Sequence, residues 1–204
     1  LYLDDLSDGF PLILLVQTEL GYKNLLKIVS DSYLNPIPNI NKPVIRLNDL
    51  QEKSDGLILL TGGHKGPLGR LIVQSPASVD DFLKTLKTLF EDRLYIELMR
   101  HGLAEQRRLE PKFLQLALGH NVPIVATNDV FFDQPDMYQA HDALLCIAEG
   151  RYISEDDRNR VTAEHYFKSS IDMQNLFRDL PEAIENTILI AQRCHFMPQG
   201  RRPI

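Results

Sequence analysis

Four short apolar runs punctuate the chain at residues 11–17 (PLILLVQ), 56–61 (GLILLT), 94–99 (LYIELM) and 122–127 (VPIVAT). Three are nearly continuous in Val, Ile and Leu, the pattern of strands buried on both faces. The run at 94–99 alternates differently. Tyr95, Glu97 and Met99 share one face and Leu94, Ile96 and Leu98 the other, so one side of that strand is expected to meet a polar interior or solvent.

Each run leads into helical periodicity. Thr18 is placed as the N-cap of a helix reaching about Tyr33, with Leu25, Leu26, Ile28 and Val29 apolar, and residues 35–39 (NPIPN) break the chain after it. A glycine-rich turn and residues 68–73 follow the second run. A stronger helix comes next, with Ser78 and Asp81 in a capping pattern and Phe82, Leu83, Leu86, Leu89 and Phe90 apolar. Residues 103–119 carry Leu109, Phe113, Leu114, Leu116 and Leu118 and end at glycine. Beyond the fourth run, residues 135–150 predict a helix with Met137, His141, Leu144, Leu145 and Ala148 on one face, and residues 154–160 a solvated loop. Two short helices close the chain. The second has Asp179 as N-cap, Pro181 in its first turn and Glu182 as reciprocal partner, with Ile184, Thr187, Ile188 and Ala191 facing inward.

Strands separated by helices imply βαβ units, right-handed crossovers and an α/β fold with a parallel sheet. Four strands do not close a barrel, so the pattern fits either an open sheet or a barrel whose other strands lie upstream. With 204 residues, one domain is expected. A formal charge of −6 argues against a broad nucleic-acid-gripping face, which needs clustered Lys and Arg. The two cysteines, Cys146 and Cys194, sit in apolar helical stretches and read as small core hydrophobes. Without a disulfide framework, a signal-peptide pattern or an apolar run near the ~20 residues of a membrane span, the expected compartment is the cytoplasm. Leu1 is not an initiator methionine and residues 197–204 (MPQGRRPI) stop mid-segment, so the chain is read as an excised piece of a longer one.

Chemistry is expected at the carboxyl ends of the strands, where loops converge. The residues there are Thr18, the loop at 62–66, Arg100 and His101, and residues 128–131. Residues 62–70 (GGHKGPLGR) match neither phosphate-loop fingerprint. They read as a strand-to-helix turn whose glycines serve backbone geometry, with a phosphate cradle built on Lys65 and Arg70 as the alternative. Glu97, His101 and Asp129 form the one acidic and imidazole trio on adjoining strand ends, and each also reads as a hydrogen-bonded structural residue. His141 is expected as a satisfied, partly buried histidine. His120 and His195 follow helices, while His64 and His165 stay ambiguous. No Ser–His–Asp or Cys–His arrangement is legible.

Five stretches, at residues 15–25 (LVQTELGYKNL), 95–102 (YIELMRHG), 126–130 (ATNDV), 140–147 (AHDALLCI) and 179–187 (DLPEAIENT), resemble in family order the PHP (polymerase and histidinol phosphatase) domain of bacterial replicative DNA polymerase III alpha subunits. The resemblance implies an irregular (βα)7-like barrel that lacks its first part here. It covers residues 1–195, with residues 196–204 as a linker towards the polymerase palm.

Metal-binding members of that family hold a divalent cluster and act as phosphoesterases or proofreading nucleases. The resemblance places ligand positions at Pro11, Gly63, Asp129 and Phe131, of which only Asp129 keeps a ligating side chain. It therefore implies a degenerate, metal-free domain with no catalytic residue and no cofactor of its own, inside a DNA-directed DNA polymerase (a nucleotidyltransferase) whose Mg2+ sits in the palm. The implied role is structural. It supports the polymerase core and docks the proofreading exonuclease subunit, with DNA and dNTPs bound elsewhere in the parent. An active metal-dependent phosphoesterase or 3'-5' exonuclease is the alternative.

Overall fold

The computed structural model describes residues 1–4, 6 and 8–200; residues 201–204, read above as the approach to a palm, lie outside the described residues. One sheet carries, in spatial order, β1 (Ile13–Val16), β2 (Leu57–Leu60), β3 (Leu94–Leu98) and β4 (Ile124–Ala126). Helices α1 (Glu19–Leu34), α2 (Pro67–Gln74), α3 (Val79–Phe90) and α4 (Ala104–His120) lie between the strands. After β4 come α5 (Tyr138–Glu149), α6 (Ser170–Leu176) and α7 (Pro181–Arg193). The result is an α/β fold with a mostly parallel, open sheet, consistent with part of a barrel. No described helix is long and apolar enough to cross a membrane.

β2, β3 and β4 are buried on both faces and pair in parallel. On one face Leu57, Leu59, Leu94, Ile96, Leu98, Ile124 and Ala126 join a core with Leu83, Leu86 and Phe90 of α3 and Leu109 and Phe113 of α4. Burying Leu109 and Phe113 contributes ~1.5–3 kcal/mol each, which offsets the roughly 3 kcal/mol that Pro111 costs inside α4. On the other face Ile58, Leu60, Tyr95 and Val125 meet Ile190 of α7. The Asn186 side chain amide donates to the carbonyl of Ile124 at 2.8 Å, so α7 serves a backbone acceptor of the last strand.

β1 departs from the all-parallel expectation. It runs antiparallel to β2, with Ile13 opposite Leu60 and Val16 opposite Leu57. Its carboxyl end, with Thr18, therefore lies at the amino end of β2, away from the other strand ends, and Pro11 lies at the end where the loops converge. The start of α1 is pinned to the turn entering β2. Thr18 Oγ1 accepts from the Gly21 N–H at 3.2 Å, and the Asn24 amide donates to Asp55 O at 3.0 Å. A Cβ at Gly21 would lie 1.9 Å from the Gly56 carbonyl oxygen, and Gly56 itself holds φ +73°.

Several local expectations shift for identifiable reasons. α4 runs past Gly119 and ends on Asn121, in the left-handed region at φ 50°. Ser78 makes no side-chain cap; a 3-10 turn (Pro76–Ser78) leads into α3 and its hydroxyl meets that of Ser75 at 3.1 Å. α5 turns Met137, Leu144 and Ile147 outward and buries Cys146. On the same helix the Asp142 carboxylate accepts two bonds from Arg158 at 2.5 and 2.6 Å, which ties α5 to the loop that follows it. α7 likewise buries Ala183 and Ile190 and leaves Ile188 and Ala191 exposed.

Asp179 does not cap α7 either; Leu180 occupies the cap position without a side-chain bond. Its carboxylate belongs to Arg100, just beyond β3. The guanidinium donates to Glu110 of α4 at 2.9 and 2.6 Å, to Asp179 at 2.6 and 2.8 Å and to the Leu176 carbonyl at 2.7 Å, while lying over the Phe177 ring at 4.6 Å. The Asp179 carboxyl is held down to about 2 by that guanidinium. This clamp fastens the link between α6 and α7 to the end of β3.

Two stability measurements follow, both by chemical denaturation of the purified protein. Gly21→Ala drives a methyl group into the Gly56 carbonyl and is expected to cost about 1–3 kcal/mol, whereas Gly119→Ala, where a Cβ meets nothing within 4 Å, should gain about 0.5–1 kcal/mol. Equal effects at the two sites would contradict the close approach. Arg100→Ala strands two carboxylates and should cost about 2–3 kcal/mol, and a loss no larger than that of an exposed arginine would count against the clamp.

Candidate functional site at the strand ends

Loops from β2, β3 and β4 and the start of β1 meet on one side of the sheet. Gly62 and Gly63 are consecutive left-handed residues, at φ 77° and 57°. A Cβ on Gly62 would meet the Pro11 carbonyl oxygen at 2.4 Å, which places Pro11 directly beside the loop after β2. The glycines thus answer to backbone geometry. Lys65 Nζ lies 3.5 Å from Asp129 Oδ2 and Arg70 3.3 Å from Glu105 Oε1, so both cations of the loop are directed at carboxylates of this chain rather than at a cradle for an anion.

Glu97 projects from β3 to the inner face and is buried. Its Oε1 accepts from the Thr127 hydroxyl at 2.6 Å, and its Oε2 has no partner. Burial pushes this carboxyl up from its ordinary range, against the opposing pull of the Thr127 and Gly62 hydrogen bonds. The polar face expected for this strand is therefore an interior one.

His101 and His165 are both buried and lie face to face, with ring centroids 4.1 Å apart and planes 3° from parallel. Nε2 of His101 lies 3.0 Å from Asn128 Oδ1 and 3.1 Å from the backbone N of Asp129. Its backbone N–H donates to Gln106 Oε1 at 2.7 Å, and the Gln106 amide nitrogen reaches Nδ1 of His101 at 3.1 Å and Nδ1 of His64 at 3.4 Å. Nδ1–H of His165 donates to the Asp129 carbonyl at 2.8 Å. Burial lowers His101 to about 4, helped by the neighbouring His165, and also pushes His64 and His165 down, so these imidazoles are neutral at pH 7. Backbone pairing carries His165 here: Phe131 N–H donates to His165 O at 2.9 Å, and Phe132 bridges Tyr166. Phe131 meets the edge of His165 at 5.1 Å, and both Phe131 and Phe132 lie against His141, whose buried Nδ1 is unpartnered.

The trio of Glu97, His101 and Asp129 does share this region, but each side chain is engaged. Pro11 and Gly63 offer no ligating atom, and Phe131 offers a half-exposed ring. Asp129 Oδ2 faces an ammonium. Among the described residues no group of three or more His, Cys, Asp or Glu side chains could hold a metal ion.

Gln106, Thr127, Thr162 and Lys168 join the site without having been marked in the sequence. Thr162 donates to the His101 carbonyl at 2.6 Å, and Lys168 is buried over the Tyr166 ring at 4.2 Å. Asn128 stood in the list of strand-end residues and proves to be the hinge of the network, since its amide also donates to Tyr166 O at 2.9 Å. His120 pairs with Asp80 at 2.7 Å, far from this region, and Thr18 is at the opposite end of the sheet.

Comparison with known proteins bears on this geometry. The PHP domain family model matches residues 1–101. Proteins named DNA polymerase III subunit alpha are similar over nearly the whole chain. The one from Caulobacter vibrioides is 47% identical across 95% of this chain, that of Rickettsia bellii 39% across 95%, and that of Borreliella burgdorferi 37% across 94%. The chain spans 17%, 16% and 17% of their respective lengths. Residues 1–101 belong to the PHP domain family, and the chain as a whole is similar to the corresponding part of proteins named DNA polymerase III subunit alpha.

Proposed function

We propose that this chain is the PHP region of a cytoplasmic replicative DNA polymerase, serving DNA replication as a non-catalytic structural and docking domain. Residues 1–195 form the domain, less an upstream part, and residues 196–204 lead towards the palm. The observation that carries the reading is the surroundings of Asp129: a proline, a glycine and a phenylalanine stand where further ligands belong, and Lys65 stands at its carboxylate. A catalytic divalent ion needs three or more protein ligands and a fixed open position to activate water, and one carboxylate does not supply them. The imidazoles serve instead as neutral hydrogen-bonding struts.

In this reading polymerase chemistry, Mg2+, DNA and dNTPs belong to the palm of the parent protein. The proofreading exonuclease subunit and other replicase subunits are the partners. The formal charge of −6 supports contact with protein rather than with the phosphate backbone.

Metal content and hydrolysis test the non-catalytic half. Purified full-length protein should show no chelator-sensitive cleavage of p-nitrophenyl phosphate assignable to this region, and Asp129→Ala should leave any background unchanged. Stoichiometric zinc or manganese together with loss of hydrolysis in Asp129→Ala would establish the phosphoesterase instead. Size-exclusion chromatography with the purified exonuclease subunit tests docking, and full-length polymerase failing to co-elute with it would sink that half.

The struts also predict a pH dependence. His101 and its neighbours bind protons more weakly folded than unfolded, so the unfolded state takes up more protons as the pH falls. Their contribution is complete above 6.5 and is lost as the pH falls through 6.5 towards about 4 for His101, by roughly 3 kcal/mol for that residue. Denaturation midpoints across pH 4–7.5 should slope accordingly, and His101→Gln should flatten the slope.

A further inference from the structure

We infer that Lys65 is a tethered cation that takes over, by charge and position, the electrostatic task a metal would perform on Asp129. The inference rests on the metal-free reading above. Its starting point is the way Asp129 is held: its backbone N–H lies 3.1 Å from His101 Nε2, its carbonyl accepts from His165, and its side chain alone remains to be balanced. Lys65 Nζ lies 3.5 Å from Oδ2 and 5.9 Å from the centre of the Phe131 ring, between a carboxylate and an aromatic face, two groups that both attract an ammonium.

The charges around the pair fit the same account. Lys65 acts electrostatically on His64 and on His165, and Asp129 on Glu97 and on all three of His64, His101 and His165. Lys168, Arg70 and Glu105 are the other charged groups facing the imidazoles. Without Lys65, Asp129 would sit near the buried Glu97 carboxyl with no counter-charge from the loop after β2. Phe131 also gains a role. An imidazole at that position would compete for the carboxylate, whereas a phenyl ring covers the ammonium and packs against His165 and His141. Pair and ring together tie the loops after β2 and β4 to each other.

A double-mutant cycle read by hydrogen exchange in the full-length protein tests this, following peptides that cover residues 62–70 and 125–133. Lys65→Met and Asp129→Asn should each raise exchange in both loops by about threefold, the scale of an exposed ion pair, and the double variant should be no worse than either single one. Lys65→Arg should restore wild-type exchange, and 0.5 M NaCl should shrink the difference between Lys65→Met and wild type. Additive effects of the two substitutions, or a Lys65→Met effect that ignores salt and is not rescued by arginine, would overturn the tethered cation and leave the metal-free reading standing. Protection of wild-type loops by 1 mM Mn2+ would overturn both.

Discussion

The C-terminal half of this protein hangs on one guanidinium. Arg100 has five N–H donors, and the five bonds it makes to Glu110, Asp179 and the Leu176 carbonyl use them all. Because Arg100 lies two residues beyond β3 and Glu110 lies on α4, the arginine is fixed before it reaches across the chain. Asp179 and Leu176 are then positioned by it, and with them the start of α7, which lays Ile190 on the inner face of the sheet and Asn186 on the edge of β4. The next residue in sequence is His101. The clamp that places the final helix therefore also sets the origin of the histidine network, and fold and site share one anchor.

Much of this fold is legible in the amino-acid order because continuous apolar runs have few other uses. The four strands and their helices fall where the pattern puts them, and Thr18 caps α1 as its position predicts. Direction is a different matter. Nothing in PLILLVQ distinguishes a parallel from an antiparallel partner, and the antiparallel pairing of β1 exchanges Thr18 for Pro11 at the functional end. The faces of α5 and α7 mislead as well. Leu144 and Ile188 are apolar but exposed, while Cys146 of α5 and Ala183 and Ile190 of α7 are the residues that turn in.

The site is legible only where it lies on strand ends. Glu97 lies near the end of β3, and His101 and Asp129 sit in the short loops just after β3 and β4, which must converge. His165 and Lys168 follow an irregular stretch with no period to read, and they arrive through backbone pairing of residues 165–167 with Phe131 and Phe132. Gln106 shows the same limit. It looks like an ordinary first-turn residue of a surface helix, yet its amide joins two histidines from different loops.

Backbone conformation constrains the loop after β2 as closely as side-chain identity does. Gly63 sits at φ 57°, and a Cβ there would lie 3.2 Å from the Met99 sulfur, so a histidine or cysteine at that position meets both an unfavourable backbone and a neighbour that must yield. Gly62, one residue earlier, needs the same left-handed turn to clear the Pro11 carbonyl. A larger side chain at 63 therefore requires remodelling the turn, and remodelling the turn disturbs the contact with Pro11 and the placement of Lys65. The loop after β2 has settled into a shape in which an ammonium reaches Asp129 and an imidazole or thiolate would be strained. The geometry of this loop is thus set by two left-handed glycines and the Pro11 carbonyl beside them, and Lys65 takes its position from that turn.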